Sequence, residues 1–180
     1  MHTDQPRRTV LVSGAPGSGK STLARPLADQ LGFSLLSKDH IKETLYDAFN
    51  GPPNDFAFSR QTGGAAMELL WTLATRCPQV VLEANFRPYS DYERARIASL
   101  QGPITEVYCR CPPEETARRF KLRAQAEGHH RAHPLRELSP EMLGEFDKPV
   151  GIGTVIEVDT TRPVDVKALV GRLRGMWVKG

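Results

Sequence analysis

Cysteine is scarce in this chain: three among 180 residues, Cys77, Cys109 and Cys111, with no C-x-x-C pair. That argues against a disulfide-stapled scaffold and against a metal site built on paired thiolates. Reduced thiols in a cytosolic protein are the simplest reading, so a cytoplasmic location is expected. Long apolar runs are missing too. No stretch approaches the 18 or so apolar residues of a membrane span, and Met1 to Arg8 lacks the apolar segment of an export signal. Aromatic residues make up 7% of the chain, and Phe56, Phe58 and Phe86 are scattered. They offer little of the stacking platform that single-stranded nucleic acid needs. Neither sign of charge dominates: 24 Lys and Arg face 21 Asp and Glu, for a net charge of +3. Anionic ligands fit that balance, and nucleic acid is not demanded by it. There is no internal repeat and no low-complexity segment.

What the sequence does have is Gly14-Ala15-Pro16-Gly17-Ser18-Gly19-Lys20-Ser21-Thr22. The first eight residues fit G-x-x-x-x-G-K-[ST], the P-loop, whose backbone amides curl around phosphate. Glycine is needed where a Cβ would forbid the backbone angles. Lys20 is expected on the β- and γ-phosphates and Ser21 on Mg²⁺. The context agrees. Thr9 to Ser13 is an apolar, β-branched run and predicts a buried parallel strand. Leu23, Leu27 and Leu31 recur at i, i+4, i+8 and predict an amphipathic helix over Thr22 to Leu31. Pro26 within it should bend it.

Strand and helix signals then alternate, which predicts an α/β fold with a five-stranded parallel sheet between two helical layers. Further strands are expected over 33–37, 80–83, 104–109 and 154–159. Helices are expected over 41–49, from Asn54 or Asp55 to Arg76, from Pro88 to Leu100, from Pro112 onward, over 140–146 and over 164–177. Gly63-Gly64 marks a close contact or a bend in the third helix. From Glu127 to Ser139 the pattern dissolves into Gly, His, Arg and Pro, and a lid insert is expected over about 124–139. The whole chain, 1–180, reads as one domain.

In such sheets ligands bind outside the carboxyl ends of the strands. Asp39 follows the second strand, where it can accept the proton of an attacking hydroxyl or simply cap a helix. Lys38 can pair with it, meet substrate, or stay solvated. Glu83 closes the third strand, where an acid near the metal is expected. Asn85 and Arg87 come next on the same mouth and are candidates for holding the acceptor. Arg119 and Arg123 lie one helical turn apart in a cluster with Arg110, Arg118 and Arg131, and their forks match the charge of a transferring phosphoryl group. His129, His130 and His133 lack an acid or thiol at ligand spacing, so lid polarity is preferred to a metal site. Asp159 to Pro163, including Thr161, is expected beside the P-loop, flanking adenine.

Together these residues resemble the small P-loop kinases built on the nucleoside-monophosphate-kinase plan, in the branch of AAA-domain ATP-binding proteins. Gly14 to Thr22 is similar to the Walker A of that branch, Ser37-Lys38-Asp39 to its S-x-D element, and Leu82-Glu83-Ala84-Asn85-Phe86 to its third-strand end. Arg119-x-x-x-Arg123 and His133-Pro134 resemble its lid. Val158-Asp159-Thr160-Thr161 resembles its adenine-side loop. The acid is Glu83 where many such kinases carry Asp, and Leu135 departs from the fuller H-P-G-H lid pattern. The resemblance implies a P-loop NTPase sheet of order 2-3-1-4-5 with a small lid. It also implies ATP and Mg²⁺ as cofactors, and γ-phosphoryl transfer to a hydroxyl of a small molecule by a monomer or homodimer. By that resemblance Lys20, Asp39, Arg119 and Arg123 serve catalysis, and the loop residues Gly14, Ala15, Pro16, Gly17, Ser18, Gly19, Lys20, Ser21 and Thr22, with Arg119 and Thr161, bind nucleotide. Ser21 and Glu83 hold metal, and Asp39, Asn85 and Arg87 bind the acceptor. A polynucleotide 5′-kinase and a slow nucleotide-dependent switch are the alternatives.

Overall fold

In the computed structural model, residues 6–178 are described; of the N-terminal stretch read above, 1–5 lie outside them. Chain order runs β1 (Arg8–Ser13), α1 (Lys20–Leu31), β2 (Ser34–Ser37), α2 (Lys38–Ala48), α3 (Phe56–Ala74), β3 (Gln79–Glu83), α4 (Asp91–Ala98), β4 (Ile104–Arg110), α5 (Pro113–Gln125), α6 (Pro140–Gly144), β5 (Thr154–Asp159) and α7 (Val166–Val178). All strand pairs are parallel, and the sheet order is β2-β3-β1-β4-β5, as expected.

The central position of β1 explains its composition. Val10, Leu11 and Val12 are fully buried, because helices cover both faces of a parallel sheet. Side chains alternate across a strand, so Val10 and Val12 join one core with α1 and α7, while Leu11 joins the other with Leu70, Trp71, Val80, Leu82 and Phe86. The stripe Leu23, Leu27, Leu31 is the buried face of α1. The helix runs through Pro26 and stops at Gly32, at φ 75°, whose N–H returns to the Ala28 carbonyl at 2.9 Å.

Several helix starts differ from the sequence expectation, α1 among them, which opens at Lys20 rather than Thr22. α2 begins at Lys38 rather than Ile41, with Ser37 at the capping position, so Asp39 lies in the first turn and is not the cap. α4 begins at Asp91 rather than Pro88, because Ser90 accepts the Glu93 N–H and sets the first turn there. α7 begins at Val166, where Asp165 accepts the Ala168 N–H at 2.9 Å. Asp55, one of two expected caps, accepts the Phe58 N–H and opens α3.

The irregular segment 126–139 lies across α2 and α3. His130 and Arg131 reach Asp47, and His133 reaches Glu43 at 2.8 Å. The Ser59 hydroxyl donates to the carbonyl of fully buried Ala132 at 2.8 Å. Among the described residues, no helix is long and apolar enough to cross a membrane.

Candidate active site

The loop between β1 and α1 has a backbone that only glycine tolerates at its turning points. Gly14, Gly17 and Gly19 have φ of 132°, 91° and 90°. A Cβ on Gly17 would lie 2.6 Å from the Thr116 carbonyl oxygen, and one on Gly14 2.7 Å from that of Cys109. The loop is thus pressed against α5 on one side and β4 on another. Lys20, 5% exposed, opens α1 and donates to the Ala15 carbonyl at 2.7 Å. Burial draws its pKa below the ordinary lysine range, against the pull of Glu83 and Asp39. A buried cation beside the backbone N–H groups of a glycine-rich loop at a helix start is chemistry suited to a polyphosphate.

Glu83 ties three elements together at the mouth of the sheet. It is 3% exposed and accepts the Ser21 hydroxyl at 3.1 Å and the Ser37 hydroxyl at 2.6 Å. Ser21 and Glu83 therefore present hydroxyl and carboxylate oxygens side by side. An all-oxygen donor pair of this kind fits Mg²⁺, which takes few protein ligands and completes its shell with phosphate and water. Among the described residues, no group of three His, Cys, Asp or Glu side chains is placed to hold a metal.

Two cavities open here. One, of about 350 Å³, is lined by Gly17, Gly19, Lys20, Ser21 and Thr22 with Glu83 and Arg119. The other, of about 590 Å³, lies between α2, α3 and the segment 126–139. Pro16, Asp39, Asn85 and Arg123 line both. Asp39 is paired with the Lys38 ammonium at 3.1 Å. Burial alone would raise its carboxyl, but Lys38, His133 and Lys20 outweigh that and hold it at about 2.

The two arginines of α5 are differently engaged. Arg119 donates to Glu115 at 2.6 Å and to the carbonyls of Thr160 and Thr161 at 2.9 and 3.3 Å. It clamps the loop after β5, which lies against Gly19. Thr161 is further fixed by Asp159, which accepts both its N–H and its hydroxyl. The Arg123 guanidinium instead lies 5.6 Å over the Phe120 ring, facing both cavities. Arg87 lines the larger cavity but is held by Glu93 and Glu145.

Two charged residues escaped the sequence reading. Lys42 is 7% exposed, lines the larger cavity and donates to Ser59 at 2.8 Å. Its signal was its place one turn after Lys38. Glu106, fully buried in β4, accepts the Ser13 hydroxyl at 2.5 Å and the N–H groups of Val150 and Gly151, both at 2.9 Å. An acid inside an apolar strand was the available signal, since a buried carboxylate needs donors.

A parallel sheet of this order, with a glycine-rich phosphate loop leaving its central strand, defines a P-loop NTPase of the kinase plan. The AAA_33 family, described as an AAA domain, matches residues 10–149, and the chain belongs to it. A shikimate kinase from Paracidovorax citrulli is 29% identical over 137 residues, 74% of this chain and 68% of that protein. A cytidylate kinase from Ignicoccus hospitalis is 28% identical over 123 residues, 63% of each chain. Among solved structures, a Chloroflexus aurantiacus protein provisionally called a kinase superposes with a TM-score of 0.80 at 28% identity, covering 96% of this chain and 98% of that one. Shikimate kinase from Acinetobacter baumannii in complex with shikimate gives a TM-score of 0.57 at 17% identity over 97% and 95% of the two chains, which shows the shared fold alone.

Proposed function

We propose that this protein is an ATP- and Mg²⁺-dependent kinase that transfers the γ-phosphoryl group to a hydroxyl of a small molecule. The observation that carries the reading is the junction of the two cavities at Asp39, Asn85 and Arg123. One cavity has the loop amides and lysine suited to a polyphosphate. The other has room for a small acceptor, and Asp39 faces both.

The acceptor hydroxyl donates to the Asp39 carboxylate, which aims its oxygen at the γ-phosphorus. The new O–P bond forms as the bond to the β-phosphate oxygen breaks, and the hydroxyl proton passes to Asp39 and then to water. A carboxyl held at about 2 is a weak base. It suffices because a loose phosphoryl-transfer transition state develops little need for an alkoxide. Lys20 and Arg123 stabilise the charge spread over the phosphoryl and leaving-group oxygens. Arg119 holds the loop at Thr160 and Thr161 beside the nucleotide. Mg²⁺ held by Ser21, with Glu83 behind it, would offset the charge of the β- and γ-phosphates. The segment 126–139 acts as the lid.

Asp39→Asn should keep ATP binding and lose turnover by about 10²–10⁴-fold, measured by ADP release over a panel of alcohols and nucleoside monophosphates. Unchanged turnover in this variant would sink the base assignment. Phosphorylation of a nucleoside monophosphate, with no alcohol accepted, would overturn the hydroxyl acceptor.

A further inference from the structure

The larger cavity carries positive charge that phosphoryl transfer does not use. Five Lys and Arg side chains line it, against the acids Asp39 and Glu93. Asp39 is taken up by Lys38 and Glu93 by Arg87. Lys42 remains. Its ammonium has three N–H donors, is almost wholly buried, and meets one neutral partner, the Ser59 hydroxyl, which is itself spent on the Ala132 carbonyl. The two carboxylates that act on it are engaged elsewhere, Asp39 with Lys38 and Glu43 with His133. A lysine so placed is destabilising unless an anion joins it, and burial draws its pKa down to about 8.

The facing wall is shaped to leave that space open. A Cβ on Gly63 would lie 3.8 Å from Lys42 Cε and 3.9 Å from Lys38 Nζ, and one on Gly64 would meet nothing within 4 Å. α3 thus presents bare backbone to the Lys38 ammonium and the Lys42 side-chain stem, one helical turn apart on α2. Arg60 stands on the same helix, one turn before Gly63 and Gly64, and lines the same cavity.

We propose that Lys38, Lys42 and Arg60 form a subsite for an acid group of the acceptor, a carboxylate or a phosphate, so that the substrate is a hydroxylated acid and not a neutral alcohol. The inference takes the cavity's role from the kinase reading, but the subsite can be measured without turnover. The buried ammonium is a place where stability is given up for anion recognition.

The test is calorimetric binding with the nucleotide site first saturated by AMPPNP and Mg²⁺, so that the P-loop cannot take the probe. Gluconate, glycerate and glycerol 3-phosphate are titrated beside their neutral counterparts, glucitol and glycerol. The expected result is that at least one acid binds tenfold or more tightly than its neutral partner, as charge-assisted hydrogen bonds allow (about tenfold or above). Carboxylate and phosphate probes separate the two sources of charge. Lys42→Met should abolish that preference, leave AMPPNP affinity unchanged, and raise the melting temperature of the ligand-free protein. Arg60→Gln, at an exposed position, should weaken acid binding without touching the fold. Equal binding of acid and neutral members, no acid binding across the panel, or acid binding intact in Lys42→Met each overturns the subsite. Failure of AMPPNP to bind, or full turnover by Asp39→Asn, strikes the kinase reading instead.

Discussion

Two arginines one turn apart on α5 carry the same charge and have different work. Arg119 spends its nitrogens on Glu115 and on two carbonyls of the loop after β5, whereas Arg123 stands over Phe120 facing both cavities. Arg123→Ala should therefore lower kcat by about 10²–10³-fold, as loss of a transition-state donor does, with little change in a urea unfolding curve. Arg119→Ala should lower the unfolding free energy by about 1 kcal/mol and weaken nucleotide binding. Equal effects of both variants on stability would contradict this division. Asp39 adds a pH dependence. Its carboxyl falls from 3.8 to about 2 on folding, so its pairing stabilises the protein above pH 4 and is lost as pH falls toward 2. The side chain is about a third exposed, so the effect is modest. Thermal unfolding of wild type and Asp39→Asn should converge between pH 4 and pH 2. Parallel curves would show that the pairing adds nothing. Glu106 is the stricter case. Glu106→Ala leaves the Ser13 hydroxyl and two buried N–H groups without an acceptor, and should cost on the order of 3 kcal/mol in denaturant unfolding.

At the scale of the element, the sequence spoke clearly wherever one local force decides. β5 was read to the residue, 154–159, because an isolated apolar run between turn residues has few alternatives. The phosphate loop was legible because its glycines answer to backbone geometry. Gly17→Ala should show that: the Cβ meets the Thr116 carbonyl and φ is 91°, a strain of about 1–3 kcal/mol that should appear as a lowered melting temperature and weaker ATP binding. Local signals failed where two compete. Pro88 is suited to a first turn, but Ser90 captures the Glu93 amide and starts α4 later. Lys42 was missed because the partner of its ammonium, Ser59, lies on another helix, 17 residues further along. Glu106 was missed because its amide partners lie 44 and 45 residues further along.

On the scale of the whole molecule, the parallel sheet followed from alternation and its order from the family resemblance, while the packing of 126–139 followed from neither. That segment has no period, and its anchors, Glu43 and Asp47, are more than 80 residues away. Its ion pairs with α2 are surface pairs of small individual worth, so it should be the part of the site that opens most readily. Asp47→Ala combined with Glu43→Gln should speed amide exchange across 126–139 and leave α1 and β1 protected. Uniform acceleration through the core would show instead that the pairs support the whole fold.

The shared lining of the two cavities has a last consequence. Asp39 lines the phosphate cradle and the larger cavity alike, so on the kinase reading a solvent molecule in that cavity meets the same carboxylate as an alcohol does. On that reading the expected outcome is a leak, slow nucleotide hydrolysis without acceptor, measured as ADP release, and its extent should fall as the cavity is shut or filled.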